Sequence, residues 1–254
     1  YYIFAITSPR KQGTLSINRE DKFLPFLFKM FMCLFLPKNK KEEIISGVCY
    51  TTGKIGNTEV VTAICGIGKV FAAICAQTMI IKYNPDFILF QEVDFDSTRS
   101  YHVNQQEMLE KRFKNYSSAF AVNYHSAFLA YPFTQPHGAS NSGILTLSKF
   151  NVTASKRRSL PISESFSKFL DLDRCYSVSR IPVENEKELV IFNVHLSAYG
   201  GSDEIRTAQM TMLFNDMKAE YEKGNYVIVG GDFNHDLKAD EKEVPEVKEE
   251  VEET

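Results

Sequence analysis

Three short apolar runs each end in a small polar cluster, and this repeated pattern most constrains the fold. "FILFQEVD" delivers Gln91 and Glu92, "FNVHLS" delivers Asn193 and His195, and "VGGDFNHD" delivers Asp232 and Asn234. Runs of four to six apolar residues rich in β-branched and aromatic types read as buried strands. Polar groups at the C-terminal ends of such strands collect where functional sites form in α/β sheets. "DFILF", a continuous apolar run from Asp86 to Phe90, reads as a central parallel strand.

Around these runs the pattern is mixed. "KVFAAICAQTMIIKY" (69–83) has apolar residues at spacings of three and four and reads as a helix. Asn84-Pro85 ends it, because the residue before proline is pushed out of the α region. Before it, "IISGVCYTTGKIGNTEVV" reads as a hairpin turning at Gly53–Asn57. A polar helix is expected near Asn104–Lys114, and a longer one over "EIRTAQMTMLFNDMKAEYEKG", closed by Gly224. Between them, strands are expected in "SSAFAVNY", "HSAFLAYPF", "SGILTLSKF", "VTASKRRSL" and "YSVSRIPVE". Many strands with few helices imply two packed sheets with helices outside. Residues 1–40 carry no periodic pattern and stay unassigned.

Charge narrows the partners. The stretch 238–254 holds eight acids and three lysines, net −5, and the rest of the 254-residue chain is +2. The tail reads as disordered, and the near-neutral body offers no field for wrapping long nucleic acid. Lys156, Arg157 and Arg158 read as a solvated turn. The five cysteines show no CxxC spacing and read as reduced thiols, which places the chain in the cytoplasm. "FLPFLFKMFMCLFLP" (23–37) is too short for a membrane span, which needs about 20 apolar residues. No protein partner is evident. The chain begins at Tyr1, which reads as a fragment, a processed product or an incomplete gene model.

The chemistry of the strand-end set is specific. Glu92 is a hard oxygen ligand suited to Mg²⁺. Asp232 can orient or deprotonate a water, and Asn234 can hold a phosphoryl oxygen or a water shell. His195 can donate to an oxygen that gains charge. His102, His125 and His137 have no partner at ligand spacing and read as surface residues, as does His235.

"FILFQEVD", "SGILTLSKF", "FNVHLSA" and "GGDFNHD", in this order, resemble the DNase I-like endonuclease/exonuclease/phosphatase family over residues 85–237. The resemblance implies an α/β fold, a partial four-layer α/β/β/α sandwich, here with a βαβ unit on its N-terminal side. It implies Mg²⁺- or Mn²⁺-dependent phosphoester hydrolysis of a phosphorylated substrate: nucleic acid, inositol phosphate or lipid head group. It makes Glu92 the metal ligand, His195, Asp232 and Asn234 the catalytic groups, and Arg174 and Asn193 the substrate-binding ones. Arg206 and Gln209, in the helix after the histidine strand, read as structural. Two family features are missing: a first-strand asparagine, and a Ser-Asp-His strand, since no Asp-His dipeptide occurs in the chain. A second resemblance covers residues 41–89, which are similar to 5′-methylthioadenosine/S-adenosylhomocysteine nucleosidases through "CGIGKVFAA". It implies a nucleosidase-like chain or a non-catalytic chimera as the alternative, with the junction near residues 84–90.

Overall fold

A computed structural model describes residues 2–7, 38–55, 58–64, 69–129, 134, 136, 138–162, 173–197 and 203–234. The apolar segment 23–37, the acidic tail, His137 and His235 lie outside the described residues. Eleven strands and three α-helices are described, in three sheets.

The first sheet is antiparallel, of order β1-β4-β3-β2, with β1 laid beside the β2–β3–β4 meander: β1 (Tyr2–Thr7), β2 (Lys38–Ile45), β3 (Val48–Ile55) and β4 (Thr58–Ile64). Helix α1 (Lys69–Tyr83) covers one face. Its Cys75 and Met79 pack with Val48, Tyr50, Val61 and Ala63. The expected hairpin is β3 with β4, paired antiparallel down to Ile55 opposite Thr58, inside the expected turn Gly53–Asn57; β3 runs through Gly53 as far as Ile55, and a second hairpin precedes it. The turn that pairs β2 with β3 is Ser46-Gly47, with φ of 50° and 79°. Positive φ at both central residues is what a two-residue turn between right-twisted strands requires.

The remaining elements form a sandwich. One sheet has order β5-β7-β6: β5 (Phe87–Asp94), β6 (Ser117–Leu129) and β7 (Gly138–Ser148). The other has order β11-β10-β9-β8: β8 (Ala154–Ser159), β9 (Cys175–Val183), β10 (Lys187–His195) and β11 (Tyr226–Asp232). Side-chain alternation assigns the layers. Ile181, Leu189 and Ile191 of the second sheet meet Phe87 and Leu89 of the first. On the opposite face Tyr176, Val190, Phe192 and Val194 meet Leu213 and Met217 of helix α3 (Asp203–Glu222). Leu145 and Leu147 turn outward to Leu109 of helix α2 (Gln105–Arg112) and to Phe113. The order helix, sheet, sheet, helix is the four-layer α/β/β/α sandwich.

Four expectations change. Lys156, Arg157 and Arg158, read as a turn, lie within strand β8. β5 pairs antiparallel with β7 and, among the described residues, sits at the edge of its sheet, so it is not a central parallel strand. Its continuous apolar run arises because α2 covers one face and the β8–β11 sheet the other, as helices cover parallel strands. β4 and β5 lie in different sheets, so β4–α1–β5 is not a βαβ unit. The parallel pair in the sandwich is β10 with β11, joined through α3. "SSAFAVNY" and "HSAFL" form the single strand β6, with a register shift between Val122 and Tyr124.

Gly231 is the glycine the sandwich depends on. Its φ is +135°, and a Cβ there would lie 2.1 Å from the Val194 carbonyl oxygen and 2.8 Å from its nitrogen. No side chain fits between β11 and β10 at this point.

Candidate active site

The site grows from the inward stripes of β5, β10 and β11. On β10 every second residue faces the β5-β7-β6 sheet: Leu189 and Ile191 pack there, then Asn193 and His195 follow on the same stripe. The parallel register sets His195 opposite Asp232. Two neighbouring strands thus end together, with an imidazole on one and a carboxylate on the other. His195 Nε2 lies 3.9 Å from Asp232 Oδ2.

On β5 a bulge does the positioning. Phe90 pairs with Leu145 but Val93 pairs with Gly143, so β5 carries one extra residue. Glu92 takes φ of 55° to make it. Before the bulge Ile88 and Phe90 face α2, and after it Val93 takes up that stripe. Gln91 faces inward and donates from Nε2 to Asn193 Oδ1 at 2.7 Å. Glu92 and Asp94 then share one partner. Arg99 donates from Nε and Nη2 to Asp94 (3.0 and 2.8 Å) and from Nη1 to Glu92 Oε2 (3.2 Å). Asp94 is buried, while the Glu92 side chain is 54% exposed.

Asn193, expected to bind substrate, is completely buried. Its Nδ2 donates to the carbonyls of Leu145 (3.2 Å) and Phe90 (3.4 Å) and to Thr146 Oγ1 (3.3 Å). With Oδ1 on Gln91, its amide is engaged inside the sandwich and ties the two sheets together. Asn234 also holds structure. Its Nδ2 donates to Leu196 O (2.8 Å), and its backbone N–H donates to Asp232 Oδ1 (2.9 Å), which orients that carboxylate.

His195 is buried among charged groups. Arg174, itself buried, places Nη1 3.1 Å from His195 Nε2. On the other side of the ring Asn123 Nδ2 lies 3.1 Å from Nδ1. Burial lowers the imidazole pKa to about 4, helped by the Arg174 charge and opposed by Asp232 and Glu92. The ring is therefore neutral at neutral pH. Next to Arg174, burial pushes the Cys175 thiol up to about 11, so it is a packed thiol and not a nucleophile.

The structure thus brings together Arg174, His195, Asp232 and Asn234 at one end of the β9-β10-β11 sheet, with Glu92 at the end of β5. Gln209, as expected, is structural: it is buried, accepts from Ser197 N–H (3.1 Å) and donates to Pro161 O (2.7 Å). Sequence reasoning missed Asn123 and Arg99. Asn123 left a signal, a polar residue continuing the buried stripe of Ala119 and Ala121.

Among the described residues no group of three His, Cys, Asp or Glu side chains forms a metal cage. Glu92 is a half-exposed carboxylate near the end of β5, ion-paired with Arg99, and Asp232 is a partly exposed one at the end of β11. That donor set fits Mg²⁺, which keeps several waters and takes one or two carboxylates with substrate phosphates.

The chain belongs to the endonuclease/exonuclease/phosphatase family, whose model matches residues 74–247. The match starts inside α1 and runs across residues 84–90, and nothing in the comparisons supports the nucleosidase resemblance.

Solved structures similar to the chain include the human Nocturnin catalytic domain with bound sulfate, at 21% identity and TM-score 0.46, over 65% of this chain and 57% of that one. An endonuclease/exonuclease/phosphatase from Beutenbergia cavernae matches at 18% identity and TM-score 0.48, over 65% and 43%. ANGEL2, a 2′,3′-cyclic phosphatase, matches at 16% identity and TM-score 0.44, over 66% and 44%. The chain thus spans about half the length of these structures. No curated protein matches it. Among the described residues no helix is long and apolar enough to cross a membrane.

Proposed function

We propose that the chain is a divalent-metal-assisted phosphoester hydrolase, with its site at the ends of β5, β10 and β11. The observation that carries this reading is the convergence on one point of a buried arginine, a neutral buried histidine and a half-exposed carboxylate. Arg174 Nη1 and Asp232 Oδ2 lie 3.1 and 3.9 Å from the same ring nitrogen of His195.

Each group has a role that its surroundings favour. Arg174 binds a phosphoryl oxygen, since a guanidinium shielded from water attracts an anion strongly. His195 donates to the oxygen that gains charge as the new P–O bond forms. Asp232, held by the Asn234 backbone N–H, orients the attacking water and takes up its proton. The water oxygen bonds to phosphorus, the ester P–O bond breaks, and the leaving oxygen departs with the bond pair. Glu92 is the residue that would hold Mg²⁺ or Mn²⁺. When bound there, such an ion supplies charge neutralisation at the phosphoryl and leaving oxygens. Asn193 and Asn234 act by holding strands and the Asp232 carboxylate in place. The substrate class is a phosphorylated one, and the near-neutral body favours a compact phosphoester over long nucleic acid.

Hydrolysis of bis-p-nitrophenyl phosphate tests this reading, because p-nitrophenolate leaves without needing a proton. We expect a rate that requires Mg²⁺ or Mn²⁺ and falls by about 10²-fold or more in Glu92→Ala and Asp232→Ala. A rate that is absent with metal, or unchanged in both variants, overturns it.

A further inference from the structure

Arg99 reaches the site from the short helical turn at Thr98–Ser100 that follows β5. The backbone before that turn is pinned to β7. Buried Ser97 accepts the Asn141 backbone N–H at Oγ (2.8 Å) and donates to the Asn141 carbonyl (3.0 Å), and Asn141 Nδ2 donates to Asp96 O (2.7 Å). A backbone held this way leaves the Arg99 side chain as the part that can move.

Its guanidinium holds two carboxylates unequally. Nε and Nη2 grip Asp94 at 3.0 and 2.8 Å, and the Asp94 side chain is 5% exposed. Nη1 meets Glu92 Oε2 by one contact of 3.2 Å, on the water side of the pair. A forked pair shielded from water is the strong kind, and a single contact in water is the weak kind. Among the described residues Arg99 is the one hydrogen-bond partner of the Glu92 carboxylate. Both charges also act on the His195 ring, which sets the guanidinium beside the reacting groups.

We propose that Arg99 is the resident counter-ion of the metal site, which a divalent ion displaces from Glu92 while Asp94 retains it. Two consequences follow from the unequal grip. Arg99 denies Asp94 to the metal, so the site offers Glu92 as a single carboxylate, and affinity falls with the number of ligand charges. Once released from Glu92, Nη1 still carries its N–H groups and can donate to a phosphoryl oxygen of the substrate. The arginine passes from carboxylate to phosphate as the metal takes its place.

This inference rests on Glu92 as the residue that holds the metal, and one set of measurements separates the two. Mn²⁺ binding to the full chain is read from the electron paramagnetic resonance of free Mn²⁺, with the binding that remains in Glu92→Gln subtracted. Arg99→Gln removes the competing cation and leaves Asp94 unpaired beside the site, so Mn²⁺ should bind about 10-fold more tightly or more. An arginine that only held the turn in place would leave the affinity unchanged or lower it, and either result in a folded variant overturns the inference. If Arg99→Gln does not fold, Asp94→Asn with Arg99→Gln removes the buried pair together. Mn²⁺ affinity should still rise, by about 3-fold, because nothing competes for Glu92, and an unchanged or weaker affinity overturns the inference. In hydrolysis of bis-p-nitrophenyl phosphate, Arg99→Gln should need less Mn²⁺ for half its maximal rate while KM for the ester rises. An unchanged metal requirement also overturns the inference. Mn²⁺ binding that is absent, or the same in Glu92→Gln as in wild type, overturns the metal role of Glu92 and this inference with it. A chain that binds Mn²⁺ as expected and hydrolyses nothing overturns the proposed function and leaves the exchange at Glu92 standing.

Discussion

The β1–β4 sheet with α1 and the sandwich that follows solve the same packing problem at different depths. The first has one apolar interface, a helix laid on one face of a meander. The second has three: α2 on its sheet, sheet on sheet, and α3 on the other sheet. Among the described residues the buried charged side chains lie in the sandwich, Arg174 and Asp94 near the site with the imidazole of His195, and Glu220 under Arg180 at the far end. A single interface has no dry interior deep enough to hold such groups between covered faces. Two covered sheets do, and their strand ends are where the polar side chains converge. The difference teaches that chemistry here follows the number of layers rather than the count of strands.

Core truncation is the strongest way to break the comparison. Phe192→Ala, between β10 and α3, should cost about 3–5 kcal/mol. Met79→Ala, between α1 and the first sheet, should cost about 2–5 kcal/mol. Hydrogen exchange should show the loss over residues 175–234 for Phe192→Ala and over residues 40–83 for Met79→Ala. Loss of protection in the sandwich from Met79→Ala would show that the two regions unfold as one.

Next comes Gly231. Gly231→Ala meets the Val194 backbone and takes a disfavoured φ, so it should cost on the order of 1–3 kcal/mol or more and weaken the β10–β11 pairing beside Asp232. Hydrolysis should fall further than stability does.

Acid should then separate the regions more gently. The folded His195 pKa is lowered to about 4 from 6.5, so its contribution to stability is present above about 6.5 and lost as pH falls through about 4. Glu220, lowered to about 2 from 4.5 by its bonds with Arg180, Lys223 and Asn225, contributes above 4.5 and is lost as pH falls through about 2. His195→Gln should remove the upper window and Glu220→Gln the lower one, seen as flatter denaturation midpoints against pH. In the first region the shifted groups are Tyr50, Tyr83 and Lys82, all raised, the tyrosines mainly by burial and Lys82 by its bond with Glu43. Their contribution is present below about 10 and lost as pH rises past it, so acid should spare that region.

The smallest effect is Gly47→Ala. Its φ is +79° but a Cβ would meet nothing within 4 Å, so the cost should be about 1 kcal/mol, read from a urea midpoint.

Much of this was readable in the sequence where period and side-chain type agreed. The helices at 69–83 and 203–222 and the strands ending in Glu92, His195 and Asp232 follow from apolar spacing alone. The partners of a strand did not follow. "DFILF" is apolar on both faces whether helices or a second sheet cover it, so its antiparallel edge position left no local trace. β6 was divided because Tyr124, His125 and Ser126 look like a break, whereas a register shift absorbs them. Asn193 and Asn234 stood in motifs that mark a site, but a motif does not say whether an amide faces substrate or holds a strand. Arg99 leaves no local signal because it lies beyond β5, in the short turn at Thr98–Ser100, and only that turn brings it back onto Glu92 and Asp94.

That bulge acts as a phase change in the chain. Up to Phe90 the odd residues of β5 look into the sandwich, and from Val93 they look out. A deletion of one residue at Gln91 or Glu92 would restore the simple alternation and look harmless by composition. It would leave Val93 facing outward opposite Gly143, but only one residue would stand where Gln91 and Glu92 stand now, so either the bond to Asn193 or the strand-end carboxylate would be lost. The extra residue is what lets one strand begin as core and finish as chemistry.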